Sequence, residues 1–100
     1  MHHYIVEIIY RAPMERIEQT VAAHRQYLQT GFDSGVLLCS GPQLPRSGGI
    51  LVARATSREE LERFIANDPY KLEQVADYRV IEFQPLMHQA LVAEWFGAGK

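Results

Sequence analysis

The chain has 100 residues, 47 % of them hydrophobic, which fits one domain burying about two thirds of its unfolded surface. A formal net charge of -2, a pI near 6.0 and ten scattered basic residues argue against nucleic-acid or anionic-membrane partners. The single Cys39 cannot form an intramolecular disulfide and lacks zinc-motif companions, so it reads as a small buried hydrophobe.

The start carries no signal-peptide pattern, because Glu7 interrupts the first apolar stretch. No segment nears the roughly 20 apolar residues of a membrane span, and the expected setting is cytoplasmic. His2 and His3 are terminal and expected to be exposed. Tyr4 to Tyr10, rich in aromatic and β-branched residues, predicts a strand. Pro13 suits a first helical turn. Behind it Met14, Ile17, Val21, His24 and Leu28 recur at steps of three and four, which predicts a helix over 13–30. Gly31 stands where a left-handed C-cap would end that helix, and Gly31 to Gly35 reads as a turn-rich link.

Val36 to Ser40 predicts a second strand, ended by Gly41-Pro42, and Gln43 to Gly49 a Pro/Gly loop. Ile50 to Ala55 predicts a third strand. Ser57 and Glu60 match a capping box opening a second helix over 57–67, which buries Leu61, Phe64 and Ile65. Asn67-Asp68-Pro69 stops it. Tyr70 to Ala76 has room for a short helical turn, and Tyr78 to Phe83 alternates as a fourth strand. His88 to Phe96 is an amphipathic tail carrying Trp95.

The order β-α-β-β-α-β is the split βαβ plan, an α+β fold with both helices on one face of a four-stranded antiparallel sheet. Residues 1–100 are expected as one domain, with 86–100 as its tail. The first strand is apolar on both sides, with Tyr4, Val6, Ile8 and Tyr10 on one and Ile5 and Ile9 on the other. Val36/Leu38 against Leu37/Cys39, and Ile50/Val52 against Leu51/Ala53, repeat the pattern. A sheet with one wet face alternates apolar with polar instead. The helix-free face is therefore expected to be buried by a second copy, with Leu91, Trp95 and Phe96 at or near that interface.

His24 interrupts the apolar stripe of the first helix. A buried imidazole needs hydrogen-bond partners, and it is the side chain most easily tuned to move protons near neutral pH. Spacing alone leaves two readings: a core histidine paired with a carbonyl or water, or a proton-transfer group.

Ala23-His24-Arg25-Gln26-Tyr27-Leu28, Ser40-Gly41-Pro42 and Asp68-Pro69-Tyr70, in this order, resemble the YCII-related (YciI-like) family. The Gly48-Gly49 turn and the final strand from Tyr78 to Pro85 fit as well, so the resemblance runs from Tyr4 to about Leu86. It implies a ferredoxin-like dimeric α+β barrel, related in architecture to muconolactone isomerases and small antibiotic-biosynthesis-type monooxygenases. It also implies a His–Asp pair in a pocket, here His24 and Asp68, and lyase-like or dehalogenating chemistry on small ring compounds. The fold itself does not choose a reaction.

Under that resemblance Asp68 accepts from one nitrogen of His24 and orients it, leaving the other nitrogen to exchange a proton. Read by itself, Asp68 is a helix-stop residue whose carboxylate caps the next turn. Ser40, Gly41 and Pro42 offer a hydroxyl and a close backbone approach for a ligand, or simply end a strand. Arg46 attracts an anionic substrate or is a solvated loop cation, and Tyr70 walls the pocket or packs. No cofactor and no metal site is expected. Three functions compete. The first is a small cofactor-independent enzyme moving a proton on a small, cyclic or anionic molecule, as lyases, isomerases or dehalogenases do. The second is a non-catalytic ligand-binding or accessory domain. The third, nucleic-acid binding, lacks an aromatic–basic motif.

Overall fold

The computed structural model describes residues 1–97. Along them lie β1 (His2–Tyr10), α1 (Met14–Ser34), β2 (Leu37–Pro42), β3 (Gly48–Ala55), α2 (Arg58–Ala66), α3 (Pro69–Leu72) and β4 (Ala76–Phe83). The strands form one antiparallel sheet in the order β2-β3-β1-β4, so the α+β, ferredoxin-like plan read from the periodicity is the fold. On the helix side Tyr4, Val6 and Ile8 of β1 pair with Ala53, Leu51 and Gly49 of β3. Ile17 and Leu28 of α1 and Leu61 and Ile65 of α2 close the core over them. Each such aliphatic side chain contributes about 1.5–3 kcal/mol on burial, so this layer holds the helices to the sheet.

α1 runs on to Ser34, past the expected end at Thr30. Gly31 is a packing residue, not the cap. A Cβ there would stand 2.6 Å from Phe64 Cζ and 2.9 Å from Leu37, so glycine is what lets α2 and β2 approach the helix. Gly35, at φ 83°, takes the left-handed cap, and the Val36 N–H reaches back to the Gly31 carbonyl at 2.8 Å. The supposed link from Gly31 to Gly35 is therefore the last helical turn and its cap.

β2 begins at Leu37 and includes Gly41-Pro42, a proline that this edge strand tolerates. Leu37 pairs with Ala53 but Cys39 with Val52, a β-bulge that shifts the strand by one residue. Leu37 and Ser40 consequently share the helix side. Cys39 turns to the other face at the sheet edge and is exposed, not buried as expected. At α2, Ser57 Oγ accepts from the Glu60 N–H at 3.1 Å. The Glu60 carboxylate accepts from the N–H and hydroxyl of Thr56 at 2.9 and 3.0 Å, one residue earlier than a standard capping box. Those two bonds hold Glu60 below the usual carboxylate range.

The helix-free face carries Ile5 and Ile9, Ile50 and Val52, and Ile81 and Phe83, the last two each 38 % exposed. The chain itself covers one corner. After a turn at Ala90–Val92, α4 (Ala93–Phe96) sets the Trp95 ring 3.8 Å from the Arg54 guanidinium, which donates to the Trp95 carbonyl at 2.9 Å. Phe96 lies against His3, with 5.1 Å between ring centroids. His3 is thereby buried, not exposed as expected, and burial followed by the nearby N-terminal charge lowers its basicity. His2 is exposed, its Nδ1 2.7 Å from Glu82. Leu86, Met87 and Leu91 stand in solvent. Residues 98–100 of the expected tail lie outside the described residues. Among the described residues no helix is long and apolar enough to cross a membrane.

Candidate functional site

α1 turns Ile17, Thr20, His24, Leu28 and Gly31 inward, while Met14 falls at the exposed margin of its stripe. His24 is only 8 % exposed. Its Nδ1 lies 2.7 Å from Asp68 Oδ1. With a carboxylate as acceptor, Nδ1 carries the hydrogen and Nε2 keeps its lone pair. Nε2 has no protein hydrogen bond among the described residues and is not sealed, because the ring lines a cavity.

Asp68 does two jobs. Pro69 opens α3, and Asp68 Oδ1 caps it by accepting from the Tyr70 N–H at 3.1 Å. The same oxygen accepts from His24, while Oδ2 accepts from the Tyr78 hydroxyl at 2.7 Å. The carboxyl is 1 % exposed, and a charge so buried is costly unless it is fully hydrogen-bonded. Three donors on two oxygens meet that requirement.

The His24 ring stacks on Tyr70, centroids 3.8 Å apart and planes 12° from parallel, and Tyr10 meets Tyr70 edge-on. The stacking fixes the imidazole plane, and the edge-on contact of Tyr10 steadies Tyr70. Burial, then the neighbouring Tyr10, raises the Tyr70 phenol, with Arg46 opposing. Burial and the Asp68 charge push the Tyr78 phenol up, and burial does the same for Tyr27, whose hydroxyl donates to the Phe64 carbonyl at 2.6 Å. These phenols remain neutral donors at physiological pH.

The cavity holds about 270 Å³, with Val21, Leu28, Ile8 and Leu51 as its apolar wall. Ser40, Gly41, Pro42, Arg46 and Tyr70 all line it with His24. Ser40 arrives there because of the bulge in β2, and Arg46 reaches the mouth from the β2–β3 loop. Its guanidinium sits 5.9 Å from the Tyr10 ring centroid, and that neighbour favours the cation. Asp68 does not touch the cavity; it stands behind His24. The sequence gives no site role to Tyr10, Arg25 or Gly49, which also line the space, or to Tyr78, which meets Asp68. Among the described residues no group of three or more His, Cys, Asp or Glu is placed to hold a metal ion.

A family model described as the YCII-related domain matches residues 1–84. No curated protein matches the chain. Among solved structures, a similar one is 5-chloro-2-hydroxyhydroquinone dehydrochlorinase (TftG) from Burkholderia phenoliruptrix AC1100, in complex with 2,5-dihydroxybenzoquinone. The likeness has a TM-score of 0.70 at 20 % identity and covers 81 % of this chain and 92 % of that one. At that identity it speaks to the fold.

Proposed function

The chain belongs to the YCII-related domain family, and from that premise we propose a small cofactor-independent enzyme using His24 and Asp68 for proton transfer. The substrate class we assign is a single ring compound bearing an acidic oxygen. The observation that carries the reading is the pairing of a buried carboxylate with one nitrogen of His24 while the other opens on a cavity. That is how a general base is oriented and its cationic form stabilised. The cavity, at about 270 Å³, lies just under the range typical of drug-sized ligands, which favours one ring over a nucleotide or peptide.

In this reading Nε2 takes a proton from the ring compound and Asp68 steadies the imidazolium. If the ring carries chlorine and two hydroxyls, His24 returns that first proton to the chlorine-bearing carbon, giving a keto tautomer. Loss of a second hydroxyl proton then drives chloride out with the carbon–chlorine electron pair, so that one HCl is lost overall and no redox partner is needed. Arg46 draws the anionic oxygen to the mouth. Ser40 donates to it, Gly41 and Pro42 admit the ring edge, and Tyr70 holds the base. We also assign a second copy of the chain to the helix-free sheet face, whose apolar residues otherwise stand in water.

Chloride release from 5-chloro-2-hydroxyhydroquinone, and from a panel of chlorinated hydroxyquinols, is the direct test. Release by the native chain, lost at least about 100-fold in His24→Ala, is the expected result. Binding of 2,5-dihydroxybenzoquinone without any turnover, and unchanged by His24→Ala, would replace the enzyme with a ligand-binding module.

A further inference from the structure

Tyr78 lies on β4 opposite Ile8 of β1, on the helix side of the sheet, and its hydroxyl donates to Asp68 Oδ2 at 2.7 Å. We propose that Tyr78 is a positioning residue that sets the tautomer of His24 through Asp68. The two oxygens of the Asp68 carboxylate are chemically alike, and rotation about the Cβ–Cγ bond exchanges them. Their partners are not alike: Oδ1 faces the His24 ring and the Tyr70 N–H, and Oδ2 faces only Tyr78. With the carboxyl 1 % exposed, water does not stand in for a missing donor without disturbing the packing.

Removing the phenol hydroxyl therefore leaves Oδ2 buried and unpaired. The carboxylate relieves this by turning toward the α3 backbone donor, and the 2.7 Å contact to Nδ1 loses its fixed geometry. The tautomer of a neutral imidazole is set by the hydrogen bond its other nitrogen makes. A loosened Nδ1 contact lets the ring adopt the form with hydrogen on Nε2. That form aims an N–H, not a lone pair, into the cavity and cannot accept a proton. Burial beside the Asp68 charge keeps the Tyr78 phenol protonated, so it stays a donor across the physiological range. The Lys71 ammonium, 5.9 Å from the Tyr78 ring centroid, lies over the ring face and leaves the hydroxyl free for Asp68.

The inference rests on reading His24 as the proton-transfer group, but the tautomer is observed in the protein alone, without substrate. Long-range ¹H–¹⁵N spectra of the full chain, with the ring neutral, read it directly. The native protein is expected to show His24 protonated at Nδ1. Tyr78→Phe is expected to bring the Nε2–H form from undetected to about a fifth of the population or more. Replacing Tyr78 with 4-aminophenylalanine restores a donor on the same ring and is expected to restore the native spectrum. A folded Tyr78→Phe that keeps the native tautomer overturns the proposal, as does an equal shift in the 4-aminophenylalanine protein. Should Tyr78→Phe not fold, the native hydroxyl proton decides. A slowly exchanging downfield resonance for Tyr78 supports the proposal, and a rapidly exchanging one overturns it. Failure of the functional reading looks different, since turnover that survives His24→Ala leaves the tautomer result standing.

Discussion

At Asp68 a single side chain is both the cap of α3 and the partner of His24, so changing its charge separates the two roles. Asparagine keeps an oxygen to accept from Tyr70 and an amide to meet Tyr78, whose hydroxyl accepts as readily as it donates. What it loses is the charge opposite the imidazole. Asp68→Asn is expected to cut turnover by about 10²–10⁴-fold while costing only about 1–3 kcal/mol of stability. Parallel assays of chloride release and urea unfolding check it, and a folded variant with a lowered urea midpoint but unchanged specific activity would make Asp68 purely structural. Tyr78 offers a second test through alkaline pH. Its phenol is raised by burial and by the Asp68 charge, so the unfolded chain loses this proton near pH 10 and the folded chain only above that. The contribution is complete below about pH 10 and is lost at about 1.4 kcal/mol per pH unit above it. Urea midpoints of Tyr78→Phe should therefore decline less steeply than those of the native protein between about pH 10 and 11.

The elements show what a sequence can and cannot disclose. The spacing from Met14 to Leu28 was enough for α1, because a 3.6-residue period needs no tertiary information. Its end was not, because Gly31 owes its identity to Phe64 and Leu37, which approach it only in the folded chain. The bulge between Leu37 and Cys39 has no residue signature, so the exposure of Cys39 was hidden. The family-like motifs pointed to His24 and Asp68, whereas Tyr78 looked like any strand tyrosine until the turn at α3 brought it onto the carboxylate. Gly31→Ala tests the packing account. Alanine is the better helix former by about 1 kcal/mol, yet its Cβ meets Phe64 at 2.6 Å. Overpacking costs typically about 1–3 kcal/mol, so a net loss of stability is expected in urea unfolding. A gain would mean that Phe64 swings away freely and that Gly31 was a helix flaw.

For the whole molecule the decisive surface is the sheet face without helices. Ile5 and Ile81 are paired across β1 and β4, with Ile50 and Val52 on β3 beyond, and α4 shields only the corner near His3 and Arg54. The Glu7–Arg79 pair, at 3.7 Å, is a polar contact within this apolar stripe and gives an interface orientation as well as area. Trp95 Nε1 and His3 Nδ1 are buried with no hydrogen-bond partner among the described residues. Two copies stacked on this face would bury the stripe, in the manner of a two-fold interface in which each patch meets itself. A stable association needs about 1,200–2,000 Å² in total. Sedimentation at micromolar concentration is expected to give a dimer. Ile81→Lys places a charge at the centre of the stripe without touching the helix-side core, so it should yield a folded monomer with an unchanged helical spectrum. A native chain that sediments as a monomer would leave the stripe unexplained by self-association.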